Sequence, residues 1–180
     1  MNVSPGLRRL ILTAHITTSV GWLGAVIAYL ALDIVATAGQ DLASVRAAFF
    51  GMEAIIVYVI VPLALASVLI GTVNALSAPW GLFQHYWIVV KLGLTLFAIT
   101  ILLLEIQNVR YMAEVAETSA DPRNLPGSLP HSIGGLIVLL VTTILSVFKP
   151  RGMTRYGWRK QRQRRIPQPR ESDTPIDAED

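Results

Sequence analysis

The chain has no cysteine, and this absence excludes disulfides, thiolate metal sites, cysteine nucleophiles and covalently attached haem c. Charge is scarce too: Lys, Arg, Asp and Glu make up 15% of the 180 residues, against 53% hydrophobic ones. No Ser-His-Asp arrangement, phosphate-cradling glycine loop or HExxH motif occurs, so the familiar enzyme chemistries find no residues to run on. Methionine appears only at Met1, Met52, Met112 and Met153, too scattered for a thioether relay of Cu(I). A metal would have to be held by His, carboxylate, Met or amide groups.

What is present is a set of long apolar runs. Crossing a hydrocarbon core of roughly 30 Å takes about 20 mostly apolar residues. Four segments qualify: about Leu10 to Leu32, Ala54 to Leu76, Phe83 to Leu104, and Ile133 to Phe148. The first follows Arg8-Arg9 and precedes Ala36-Thr37-Ala38, the outline of a secretory signal. A signal core is usually about 7 to 15 apolar residues, and this longer run has polar residues inside it, so it reads as a retained helix. With so apolar a composition, no second globular domain is expected.

Basic residues set the orientation, because Arg and Lys near helix ends stay on the cytoplasmic side. Arg8 and Arg9 precede the first run, and Lys149, Arg151, Arg155, Arg159, Lys160, Arg162, Arg164, Arg165 and Arg170 follow the last. The two outer connections hold Arg46, Arg110 and Arg123 against Asp41, Glu114, Glu117 and Asp121. The expected fold is therefore all-α: an integral membrane, up-down four-helix bundle over residues 1–150, both termini cytoplasmic, in the plasma membrane. Residues 151–180 form a basic, then acidic tail, largely disordered. Its stretch from Arg151 to Arg170 suits anionic inner-leaflet lipids, at about 1 kcal/mol per basic residue, and no nucleic acid is expected.

Local signals refine the ends. Asp41 is a plausible N-cap, so Leu42 to Met52 extends the second helix above the bilayer. The third helix continues to about Glu117, with Arg110 and Glu114 paired at i,i+4, and stops before Asp121-Pro122. The inner turn Ser77-Ala78-Pro79-Trp80-Gly81 is short, and Trp80, Tyr86 and Trp87 make an interfacial aromatic cluster.

Polar residues inside the runs fall into stripes at helical spacing. The stripes are His15, Thr18, Ser19 and Trp22; Glu53, Ser67 and Asn74 with Gly71 adjacent; Gln84, Lys91, Thr95 and Glu105; and His131, Gly135, Thr142 and Lys149. Small residues in these stripes fit close helix packing. The histidines, lysine and carboxylates invite sharper readings, and depth divides them. Asp33, Glu53, Glu105 and His131 lie toward the outer side, where three carboxylates and an imidazole would suit a divalent cation. The same residues also fit plain positions in the headgroup region. His15, Asn74, His85 and Lys91 lie toward the cytoplasm. Two histidines from different helices are the usual axial pair for haem b, although His15 and His85 differ in height by about a turn, roughly 5 Å. A His15 hydrogen-bonded to a neighbouring helix is the competing reading. Lys91 either snorkels to the surface along Trp87 or faces an interior partner.

Ala14-His15 with Gly21-Trp22-Leu23-Gly24, Ile70-Gly71, Tyr86-Trp87 leading to Val90-Lys91-Leu92, and Asn108 with Arg110 resemble the CopD-like copper-resistance membrane domain. Lys149 to Gly152 and Tyr156 to Trp158 are similar to the tail of small bacterial four-helix membrane proteins with the same core. The resemblance spans most of Leu10 to Trp158. It implies a cytochrome-b-like bundle associated with copper uptake or redox, with His15, Trp22, Gly24, Gly71, Lys91 and Asn108 as cofactor-site candidates beside His85. The chain departs from the family pattern in having Gly-Trp-Leu-Gly rather than Trp-x-Gly-Gly. Three functions follow as expectations: a haem b or copper protein for electron transfer or metal handling, a cation transporter, and a non-enzymatic assembly partner of another membrane protein or of a second copy.

Overall fold

The computed structural model describes residues 4–77, 82–150 and 152–165. Ala78 to Gly81, with Trp80 of the expected aromatic cluster, lie outside the described residues, as do Arg151, Arg170 and the tail from 166 onward.

Helix α1 runs Pro5–Ala38, with Ser4 as N-cap and Pro5 in the first turn, where its missing N–H costs no hydrogen bond. Gly39 then lets the chain turn back tightly, since a Cβ there would sit 2.8 Å from Val45 Cγ2. Asp41 starts α2, Leu42–Ile55, by accepting from the Ser44 N–H at 2.8 Å and the Ser44 hydroxyl at 2.7 Å. A π-turn, Ile56–Ile60, joins α2 to α3, Val61–Ser77, so that one span covers Leu42–Leu76. The cause is Pro62: it has no N–H, and its ring collides with the carbonyl four residues earlier in a regular α-helix. The widened turn avoids that collision, and Val61 N–H reaches the Ile56 carbonyl instead.

Helix α4 runs Tyr86–Thr118 and α5 runs Leu129–Phe148, separated by a short 3-10 turn at Pro122–Asn124. A basic helix, α6, covers Arg155–Arg165. The extensions expected from Asp41 and toward Glu117 are present, and both helices project past the apolar runs. Arg110 differs from expectation: its guanidinium lies 3.9 Å from Glu53 across the bundle rather than with Glu114. His85 is also not helical. It precedes α4 in an extended conformation and forms a bridge with Met153.

Four helices are long and apolar enough to cross a membrane, which makes the chain a membrane protein. Their outward faces carry Leu10, Val20, Leu69, Leu104, Val147 and Phe148, each at least 63% exposed, an apolar surface suited to lipid rather than water. α1 packs on the α2–α3 span and on α5, and α4 packs on the same two partners from the other side.

Two sets of contacts fix which ends meet. At one end, called distal here, the end of α1, the start of α2, the end of α4 and the start of α5 come together. Arg46 of α2 ties them by donating to the Ala116 carbonyl at 2.8 Å and the Ser119 carbonyl at 2.9 Å, satisfying orphan carbonyls at the end of α4. At the opposite, terminal end, Tyr86 N–H donates to the Gly152 carbonyl at 3.3 Å and Thr154 N–H to the Gln84 carbonyl at 2.9 Å. The Thr154 hydroxyl adds a bond to the Phe83 carbonyl at 2.6 Å.

Candidate functional site: a membrane-embedded cavity

On α5, Gly134 and Gly135 leave the helix bare where it faces α4, and a Cβ added at either would meet nothing within 4 Å. The space left is a cavity of about 330 Å³. Trp22, Val26 and Tyr29 of α1 form its back, and Ile56 and Ile60 bring the π-turn into the wall. α4 contributes Phe97, Ala98, Ile101 and Leu102, and α5 contributes Val138 and Leu139, leaving the cavity half open at the surface. The size falls at the small end of ligand pockets, and the lining is apolar almost throughout.

Polar groups gather at the distal end, where Glu105, His131 and Ser132 line the cavity. Asn108, one turn along α4, donates to Glu105 Oε1 at 3.0 Å. His131 Nδ1 lies 3.6 Å from that same oxygen, within ion-pair reach but long for a hydrogen bond. The two side chains differ in access, with Glu105 13% and His131 52% exposed.

Behind this pair stands a second polar layer. Asp33 of α1 is 0% exposed, yet its carboxylate is well satisfied. Ser128 N–H donates to Oδ1 at 3.0 Å, and the hydroxyls of Ser128 and Ser132 donate to Oδ2 at 3.1 and 2.7 Å. Asp33 thus caps α5 from another helix, placing negative charge on the positive end of that helix dipole. Ser128, the N-cap position, makes no cap bond of its own, and its hydroxyl lies 2.9 Å from Tyr29 OH.

The terminal end holds the other sequence candidates. The His15 ring lies on Gly71, where a Cβ would come within 2.7 Å of its Cε1. His15 Nδ1 has no hydrogen-bond partner among the described residues. One turn further in, the Ser19 and Ser67 hydroxyls meet at 2.8 Å, joining α1 to α3. Lys91 is half-buried on α4, and none of the ion pairs among the described residues includes it.

The structure places the sequence candidates on different elements. His15 is turned onto α3, and His85 belongs to the extended bridge with Met153, just ahead of α4. Gly24 faces open space and Asn108 is occupied with Glu105. On the distal side, Asp33 caps α5, Glu53 lies against Arg110 and Glu105 against His131. Among the described residues, no three His, Asp or Glu come together as a metal site.

Tyr29, Ser128 and Ser132 were not singled out by sequence reading, although spacing held a clue. Tyr29 and Asp33 are four apart on α1, and Ser128 and Ser132 are four apart at the start of α5, so each pair shares a helix face. Nothing in the sequence says that the two faces meet. No family model matches the chain, and no curated protein or solved structure proved significantly similar to it.

Proposed function

We propose that the chain is a non-enzymatic ligand-binding protein of the plasma membrane, which holds a small apolar molecule taken from the bilayer. The observation that carries this reading is the cavity of about 330 Å³, apolar along its walls and polar only at the Glu105 end. In this reading the spans form an up-down bundle with both termini in the cytoplasm. The positive-inside pattern supports that orientation, because the terminal end carries Arg8, Arg9, Arg155, Arg159, Lys160 and Arg162. α6 then lies along the inner leaflet, with exposed Tyr156 and Trp158 at the interface and its basic side chains on anionic headgroups. The haem and copper expectations and the CopD-like resemblance draw no support from the donor geometry. A Soret band or stoichiometric copper in the purified protein would restore them.

Fluorine NMR of a fluorinated naphthalene added to the full chain in phospholipid nanodiscs tests the proposal. A bound resonance distinct from the lipid-dissolved one is expected. Gly135→Phe, which fills the cavity without a clash at Cβ, should remove it while the protein stays monodisperse. No bound resonance from the wild-type protein would overturn the reading and leave an assembly role as the better account.

A further inference from the structure

Glu105 is the least expected lining residue of the cavity, because a carboxylate facing hydrocarbon needs donors. Both neighbours that reach it, Asn108 Nδ2 at 3.0 Å and His131 Nδ1 at 3.6 Å, address the same oxygen, Oε1. Oε2 takes no hydrogen bond from the described residues. The site therefore has one strong, uncommitted acceptor at the polar end of an apolar chamber. The hydroxyls in the wall, Tyr29 and Ser132, are already engaged with Ser128 and Asp33. The shape is specific too. Trp22, Tyr29 and Phe97 bring three aromatic rings to the chamber, and the bare Gly134-Gly135 backbone offers a flat opposing surface. Flat rings are best held by aromatic faces and edges.

Resting on the ligand-binding reading above, we infer that the ligand is a ring compound bearing a hydroxyl, of the phenol or hydroquinone class, whose O–H donates to Glu105. Its ring lies between Trp22 and Gly134-Gly135, and its apolar remainder extends along Phe97 and Val138. Asn108 and His131 act as positioning residues: they hold Oε1 and so aim Oε2 into the chamber. Binding requires no covalent or redox step.

The full-length protein in phosphatidylcholine–phosphatidylglycerol nanodiscs, probed by fluorine NMR, tests this with a fluorinated naphthol, its methyl ether and a fluorinated long-chain alcohol. After correction for partition into protein-free discs, the naphthol should bind about tenfold tighter than the ether, the scale of one hydrogen bond to a charged acceptor. Glu105→Gln should lose about that tenfold for the naphthol and leave the ether unchanged, which also shows that the variant is folded. The chain alcohol should do no better than the ether. Equal binding of naphthol and ether by the wild-type protein, or a preference that survives E105Q, would overturn the assignment of Glu105 and leave the cavity as a purely apolar site. An alcohol that outbinds the naphthol would replace the ring with an alkyl chain. Failure of naphthol and ether alike would bring down the ligand-binding reading itself.

Discussion

The distal and terminal ends of this bundle are built from different materials. At the distal end Val45, Ala48, Phe49 and Met52 meet Ala36, Val109, Ala113 and Ala116, all 3% exposed or less. At the terminal end no described residue of α1 before Trp22, of α3 after Ser67 or of α5 after Thr142 is buried. The contacts between α1 and α3 there include a glycine against an imidazole and one serine pair. The solvent explains the contrast. α5, with 20 residues and about 30 Å of length, has the length of a hydrocarbon core, whereas α2 and α4 project past the apolar runs. In water, apolar burial drives packing. In lipid it does not, and helices rely on small residues and hydrogen bonds. The distal end is therefore the densely packed platform of the bundle, and the cavity lies next to it.

The widest gap between the ends should appear on truncating an apolar side chain in each. Phe49→Ala, in the platform, is expected to cost about 4 kcal/mol, by lost transfer energy and the hole left behind. Leu69→Ala, on a lipid-facing surface 67% exposed, should change stability by about 0.5 kcal/mol or less. Unfolding in mixed detergent micelles would compare them, and equal losses would dissolve the distinction. A smaller effect should follow Asp33→Ala, which strips the partners from Ser128 N–H and two hydroxyls at about 3 kcal/mol. Because that damage is local to the start of α5, amide exchange should quicken there first while α2 stays protected. Uniform exchange across all four spans would count against a separable cap.

The smallest effect sharpens the platform's edge. Asp121 is held at about 2, below its ordinary value of 3.8, chiefly by its hydrogen bond from the Arg123 guanidinium. A lowered folded value means that the contribution is present above pH 3.8 and fades as pH falls toward 2. As the pair stands at the surface, it shows in the titration curve rather than in stability. Carbon-detected NMR should place the Asp121 midpoint near 2, and Arg123→Gln should return it toward 3.8. A midpoint that ignores the substitution would remove Arg123 as the cause.

The spans were legible in the sequence because lipid imposes length and hydropathy on each segment separately. So were the Asp41 cap and the helix extension past Asn108, both set by residues a few positions apart. The cavity was not. It depends on Gly134-Gly135 facing Phe97 and Trp22, and periodicity within a helix does not choose the neighbour its stripe will face. Asp33 shows the same limit: read alone it suits a cation or the headgroup region, and its role as the cap of α5 exists only once the helices meet. Pro62 was not singled out by sequence reading, and its π-turn becomes part of the cavity wall only once the helices meet.

α5 is the shortest of the four spans and has the least length to spare. Ordinary spans absorb a thicker or thinner membrane by tilting. α5 is clamped at one end through Asp33, and the chain beyond its other end is stitched to the start of α4 by Gly152 and Thr154. It has little freedom to lean, so mismatch is met by deformation of the surrounding lipid. A bilayer whose core matches the length of α5 needs no such adjustment.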